Sequence, residues 1–190
     1  MPRLGIVVVS MREGRVGESV ANWVDARARE HAGFQVELVD LKVIDLPLMT
    51  EPNHPRLKKY SQPKTLEWSA RIESLDAFVF VTPEYNFSTP APLANALDYL
   101  YSEWGYKAAA LVSYGGISGG LRGAQMTKQR LSAFNMMTIV EAVSIPFVAK
   151  QLEHGQFVPS EAQDKSLKGV LDELLRWTTA LDPLRRPRGT

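Results

Sequence analysis

Apolar residues along this chain fall into two rhythms. Leu4-Gly5-Ile6-Val7-Val8-Val9 is a continuous apolar, largely β-branched run, the pattern of a strand buried on both faces. Past Gly14 and Gly17, residues Val16, Val20, Trp23, Val24 and Ala28 recur at helical spacing, which predicts a helix from Gly17 to His31 ended by Gly33. Phe34, Val36, Leu38 and Leu41 follow with the alternation of a more exposed strand. A polar, proline-bearing excursion runs from Leu46 to Pro63, and its length points to a function or an interface. Leu66, Ile72 and Leu75 mark a helix before Asp76. Ala77-Phe78-Val79-Phe80-Val81 is the most apolar segment and is predicted as the central strand. Leu93, Leu97, Leu100, Tyr101 and Trp104 belong to the next helix, Ala108 to Tyr114 to the fourth strand, and Leu121, Ala124, Leu131 and Phe134 to a further helix. Thr138-Ile139-Val140 gives a short fifth strand; Leu167, Val170, Leu171, Leu174, Thr178 and Leu181 give a final helix.

Strands alternating with helices imply a parallel, doubly wound α/β sheet with right-handed crossovers. One domain over residues 1–182 accounts for the whole pattern, leaving 183–190 as a basic, mobile tail with Arg185, Arg186 and Arg188. The net charge of +1 suggests neither a nucleic-acid groove nor an acidic electron-transfer surface. There is no cysteine, which excludes disulfides, thiolate catalysis and iron–sulfur clusters. The apolar run at Leu4 is too short for a signal peptide or a membrane span, so a cytoplasmic protein is expected. His31, His54 and His154 are scattered and read as surface or packing residues, with no metal site.

In such sheets ligands bind beyond the carboxyl ends of the strands. Three loops belong there. Ser10-Met11-Arg12-Glu13-Gly14-Arg15-Val16-Gly17 opens a helix; a hydroxyl, two guanidinium groups and free amides suit a phosphate, although a solvated turn capped by Ser10 would carry the same residues. It contains neither a Walker loop nor a Gly-x-Gly-x-x-Gly fingerprint. Thr82 to Pro90 offers Tyr85 and Asn86 beside stiff proline backbone, suited to a flat heteroaromatic ring or simply to a rigid turn. Ser113 to Gly123 holds five glycines in eleven positions, which let backbone approach a ligand or adopt positive φ.

Together the three loops resemble the NADPH-dependent FMN reductase family, a flavodoxin-like group that includes quinone and azo-dye reductases. The likeness rests on Pro83-Glu84-Tyr85-Asn86, on Leu93, Asn95, Ala96, Leu97 and Asp98 in the next helix, and on Ser113-Tyr114-Gly115-Gly116. The family's first loop usually reads Gly-Ser-x-Arg; Ser10 and Arg12 match, Val9 replaces the glycine, and Arg15 stands where many members have serine. The resemblance implies a flavodoxin-like three-layer sandwich with strand order 2-1-3-4-5. It implies that Ser10, Arg12, Arg15, Val16 and Gly17 hold the FMN phosphate, and that Pro83, Glu84, Tyr85, Asn86, Ser113, Tyr114, Gly115 and Gly116 line the isoalloxazine. It also implies NADPH or NADH as reductant, a small-molecule acceptor such as a flavin or quinone, and homodimers or homotetramers. The apolar surface offered by Tyr101, Trp104 and the excursion points to an oligomer as well. No catalytic side chain is expected, because the cofactor carries the chemistry.

Two rivals start from the same residues. Gly116-Ile117-Ser118-Gly119-Gly120 satisfies the nucleophile elbow of α/β-hydrolases, with Glu141 and His154 following in triad order. No oxyanion motif precedes it, and a glycine-rich loop meets the pattern easily. A non-enzymatic electron carrier is the other, against which the near-neutral charge argues.

Overall fold

A computed structural model describes residues 1–185. Its sheet contains five parallel strands, β1 (Arg3–Val8), β2 (Gln35–Asp40), β3 (Ala77–Pro83), β4 (Ala108–Tyr114) and β5 (Met137–Ile145), in the order β2-β1-β3-β4-β5. Order reverses between β1 and β3, so the loops leaving these two strands diverge to opposite faces and leave a crevice. β3 and β4 are buried along their full length, as their largely apolar sequences require.

Side chains alternate between two layers. Ile6, Val8, Val79 and Val81 pack beneath α1 (Gly17–His31) and α6 (Glu161–Arg185). Val7, Phe78 and Phe80 face the opposite layer with Trp68 of α3 (Pro63–Glu73), Leu93 and Leu97 of α4 (Ala91–Asp98) and Leu131 of α5 (Leu121–Ser132). This period of two fixes the register, since a one-residue slip would exchange the layers.

Several expectations need correction. Ala32, not Gly33, takes the left-handed position that ends α1, at φ 55°. Trp104 is wholly buried in a separate 3₁₀ turn, Ser102–Trp104, and Tyr101 packs on Phe134, so neither supplies a subunit surface. The excursion is anchored inward, with Asn95 and Tyr99 donating to the Pro47 carbonyl at 2.7 and 2.9 Å; a short helix α2 (Leu41–Ile44) precedes it and it contains a 3₁₀ turn, Pro55–Leu57. β5 has nine residues instead of three, because a register shift opposite Ala109 and Leu111 interrupts the pattern and leaves Val140 outward. A two-strand hairpin, β6 (Leu152–Glu153) with β7 (Gln156–Phe157), was not legible in the sequence. Pro183 and Arg185 continue α6, and Arg185 pairs with Asp182 and Asp76, so the tail does not begin at 183. Arg186 and Arg188 lie outside the described residues. Among the described residues no helix is long and apolar enough to cross a membrane.

Candidate functional site

The loops after β1, β3 and β4 meet at one edge of the sheet, where Pro83 and Tyr114 stand side by side in register. They enclose an open cavity of ≈ 280 Å³, lined among others by Ser10, Arg12, Arg15, Val16, Pro83, Glu84, Tyr85, Tyr114 and Gly115. Gly17, Asn86, Ser113 and Gly116 do not reach its wall. Glu13, Gly14 and Val148 do. Val148 comes from the turn after β5, which hangs on loop three through its amide to the Gly115 carbonyl at 3.1 Å. A contact across 33 residues leaves no local sequence signal. Two larger hollows, ≈ 600 and ≈ 520 Å³, lie along α6 away from the strand ends.

The two arginines of the first loop do different work. Arg15 is folded inward with its side chain 7% exposed; it donates to both carboxylate oxygens of Asp40, to Glu18 at 3.2 Å and to the Ser10 carbonyl at 2.9 Å. Its guanidinium therefore clamps the loop to the end of β2 and is not free for an anion, which corrects the expectation of two converging cations. Arg12 is exposed and, among the described residues, makes no hydrogen bond or ion pair; its guanidinium stands 5.8 Å from the Tyr85 ring. No side chain caps the start of α1, and Ser10 bonds instead to the Tyr85 hydroxyl at 2.9 Å. The first-turn amides of α1 therefore keep no cap from the protein itself, the arrangement that favours an anion.

Beneath them the Tyr114 hydroxyl is buried and, among the described residues, has no hydrogen-bond partner. Burial raises its pKa, so it stays a phenol. A Cβ at Gly17 would collide with this oxygen; that close approach is the reason for glycine there.

The second loop closes through a tight turn in which Asn86 and Phe87 both have positive φ, 49° and 65°, and Ser88 donates to the Tyr85 carbonyl at 3.0 Å. Asn86 suits such a position, whereas phenylalanine is an outlier. Glu84 reaches across to the third loop. Its carboxylate accepts from the Arg122 and Gly123 amides at 2.9 and 3.1 Å, from the Arg122 Nε at 2.9 Å and from Ser118 at 3.2 Å. It thus caps α5, whose own N-cap residue, Gly120, has no side chain to do so. Burial acts to raise the Glu84 pKa, but the Gly123 amide and the Arg122 guanidinium outweigh it and hold the carboxyl below its usual range.

Within the third loop the glycines are used for packing. Gly119 and Gly120 have φ of 59° and 82°, and a Cβ on Gly123 would sit 2.9 Å from the Ser88 carbonyl. Gly116 alone of the five has open space around it. Ser113 is turned into the loop, donating to the Gly119 carbonyl at 2.9 Å. The hydrolase reading fails on Ser118: its hydroxyl is engaged by the Glu84 carboxylate, not by an imidazole that could take its proton.

Comparison with known proteins gives the same direction. The NADPH-dependent FMN reductase family profile matches residues 2–150. The chain is 33% identical over 193 residues to an NAD(P)H-dependent FMN reductase of Schizosaccharomyces pombe, covering 99% of this chain and 88% of that protein. It is 32% identical over 127 residues to an NAD(P)H:quinone oxidoreductase of Solanum tuberosum, covering 63% and 62% of the two. The flavoenzyme FerB, an NAD(P)H:(acceptor) oxidoreductase from Paracoccus denitrificans, superposes with a TM-score of 0.77 at 24% identity over 95% of this chain and 98% of that one, which speaks to the fold. On the extent of these matches, the chain belongs to the NADPH-dependent FMN reductase family.

Proposed function

We propose that the cavity between the first three loops holds FMN, and that the protein passes reducing equivalents from NADPH or NADH through it to a small acceptor such as a flavin or quinone. The observation that carries this reading is one end of the cavity. There an unpaired guanidinium (Arg12), a hydroxyl (Ser10) and an uncapped helix start converge beside aromatic walls. Such a set fits a phosphate joined to a flat ring.

In this reading Arg12, Ser10 and the amides at the start of α1 hold the phosphate. Pro83, Tyr85, Tyr114, Gly115 and Val148 flank the ring, and Arg15 positions the loop without touching the anion. The orphaned Tyr114 hydroxyl has a donor to offer a bound oxygen. Bound FMN supplies the ring that accepts and returns a hydride. The protein needs only to align it and to exclude competing reactions. Glu84 contributes by fixing loop two against loop three.

FMN titration tests this directly: a shifted flavin spectrum and quenched fluorescence are expected, and bleaching of the bound flavin by NADPH under anaerobic conditions. Parallel double-reciprocal lines for NADPH and a quinone should follow if both use one site in turn. A titration that leaves both spectrum and fluorescence unchanged refutes the assignment. We also propose a homodimer or homotetramer, supported by Leu48 and Leu57 on the excursion, 80% and 57% exposed; sedimentation of a monomer at micromolar concentration with FMN bound would contradict it.

A further inference from the structure

Phe87 is a costly residue where it stands. It occupies the second central position of a tight turn at φ 65°, a conformation that a bulky side chain rarely adopts. Its ring is not hidden to compensate, for the residue remains 63% exposed. Strain of this kind persists where the surroundings over-determine it, and it gathers at ligand clamps. The surroundings here are specific. The Arg122 guanidinium lies 3.9 Å from the ring centroid and is held there by Glu84, to which its Nε donates at 2.9 Å while its Nη2 stands in ion-pair contact at 2.8 Å. One guanidinium N–H is thereby hydrogen-bonded to Glu84, which leaves donors on the group for a further partner. Glu84 and Tyr85, three and two positions back along the same segment, line the cavity. The Phe87–Arg122 platform is therefore joined to the cavity wall through Glu84.

The turn after β5 repeats part of the arrangement. Phe147 has φ 48°, is 46% exposed, and carries the Lys150 ammonium 5.1 Å from its ring. Its amide donates to the Gly116 carbonyl at 2.9 Å, and its neighbour Val148 lines the cavity. An exposed ring with a cation fixed beside it offers stacking and an anion contact at once. The acidic group on the rim, Glu13, is paired with Lys42 at 2.7 Å, and Glu84 is inside its clamp.

We infer that Phe87 with Arg122 is a specificity platform for flat aromatic ligands that carry an anionic group. This rests on the reading of the adjoining cavity as the FMN site. The shared chemistry could belong to the reduced dinucleotide, whose rings bear phosphates, or to an acidic aromatic acceptor. The two sources separate in the two half-reactions.

The test uses the full chain loaded with FMN and the variants Phe87→Gly and Arg122→Gln, the latter keeping a neutral donor for Glu84. Reduction by NADPH is followed by stopped flow. Steady-state KM is measured for 1,2-naphthoquinone-4-sulfonate and for uncharged 1,4-naphthoquinone, each as a ratio of variant to unaltered protein. Arg122→Gln should raise the KM of the sulfonated quinone, or the Kd of NADPH, by about tenfold while leaving the uncharged quinone within twofold. Phe87→Gly should raise the values for charged and uncharged flat ligands alike, yet its melting temperature should not fall, because glycine relieves the strained turn. The melting temperature separates a lost platform from a lost fold. Unchanged values for both NADPH and the sulfonated quinone in both variants, with FMN bound and bleached, would overturn the inference and leave the FMN reading intact. An unaltered chain that binds no FMN would overturn both.

Discussion

Replacing Arg12 and Arg15 separately by methionine divides anion recognition from loop architecture. Arg12 makes no hydrogen bond or ion pair among the described residues and only a loose approach to Tyr85 at 5.8 Å. Its removal should change the stability of the FMN-free protein by less than about 0.5 kcal/mol, as for other surface positions without partners. If it holds the phosphate, the same change removes one charge-assisted contact, about 1.5–3 kcal/mol, or roughly ten- to more than hundredfold in FMN affinity. Riboflavin, which lacks the phosphate, should bind Arg12→Met as it binds the unaltered protein. Arg15→Met reverses the pattern. The Arg15 side chain is 7% exposed and that of Asp40 14%, so the change strands a nearly buried carboxylate. A loss of about 3 kcal/mol in stability follows, and FMN and riboflavin should weaken together as the loop loosens. Calorimetry of the FMN-free proteins and fluorescence titration with both flavins measure all four quantities. Equal losses of FMN and riboflavin in Arg12→Met, or a stable Arg15→Met that loses FMN alone, would refute this division of roles.

The capping carboxylate gives a pH signature: Glu84 is held below the usual carboxylate range, so its contribution is complete at neutral pH and vanishes as pH falls through its folded value. Glu84→Gln should cost about 1 kcal/mol at pH 7 and show a shallower acid-side decline in thermal melts. Tyr114→Phe removes a buried hydroxyl without a partner and should stabilise the FMN-free protein by about 1 kcal/mol while weakening FMN; calorimetry with and without the flavin checks both signs. Lys107 sits buried with its ammonium donating to the Ile72 and Glu73 carbonyls at 2.6 and 3.2 Å, and burial pushes its pKa down to about 8. The unfolded chain then holds more protons between this value and the ordinary lysine range, so stability should rise with pH across that window, and Lys107→Met should lack the rise in denaturant titrations.

What the sequence revealed follows from where each force acts. β3 and β4 were legible because a strand covered on both faces must be apolar along most of its length, as β1 also is. β5 was truncated to three residues because an edge strand with a register shift exposes Val140, Glu141 and Ala142 and so breaks the alternation on which the reading depends. The helix end at Ala32 was misplaced by one residue because glycine is the usual but not obligatory occupant of a left-handed cap. At the site, residue types and loop positions could be read, but not side-chain direction. Ser113 and Ser10 look alike in sequence; one is locked to Gly119 and the other lines the cavity. Arg15 is engaged by Asp40 across 25 positions. A long-range pair of that kind decides which of two neighbouring arginines stays free, and it has no local signature.

The cross-links among the loops also bear on how the site works. Ser10 to Tyr85, Glu84 to Arg122 and Ser118, and Phe147 to Gly116 tie four chain segments together. Ordering a loop costs about 1–2 kcal/mol per residue, and a site that had to order these segments on binding would lose most of its affinity to that cost. Here it is met by folding. The walls of the cavity are therefore set before a ring arrives, which suits a transfer whose rate falls steeply with misalignment. At the other end Arg12 makes no hydrogen bond or ion pair among the described residues. An exposed side chain without such ties can adjust to a phosphate that has several rotatable bonds between it and the ring, so rigidity and freedom are distributed according to what each end of the ligand demands.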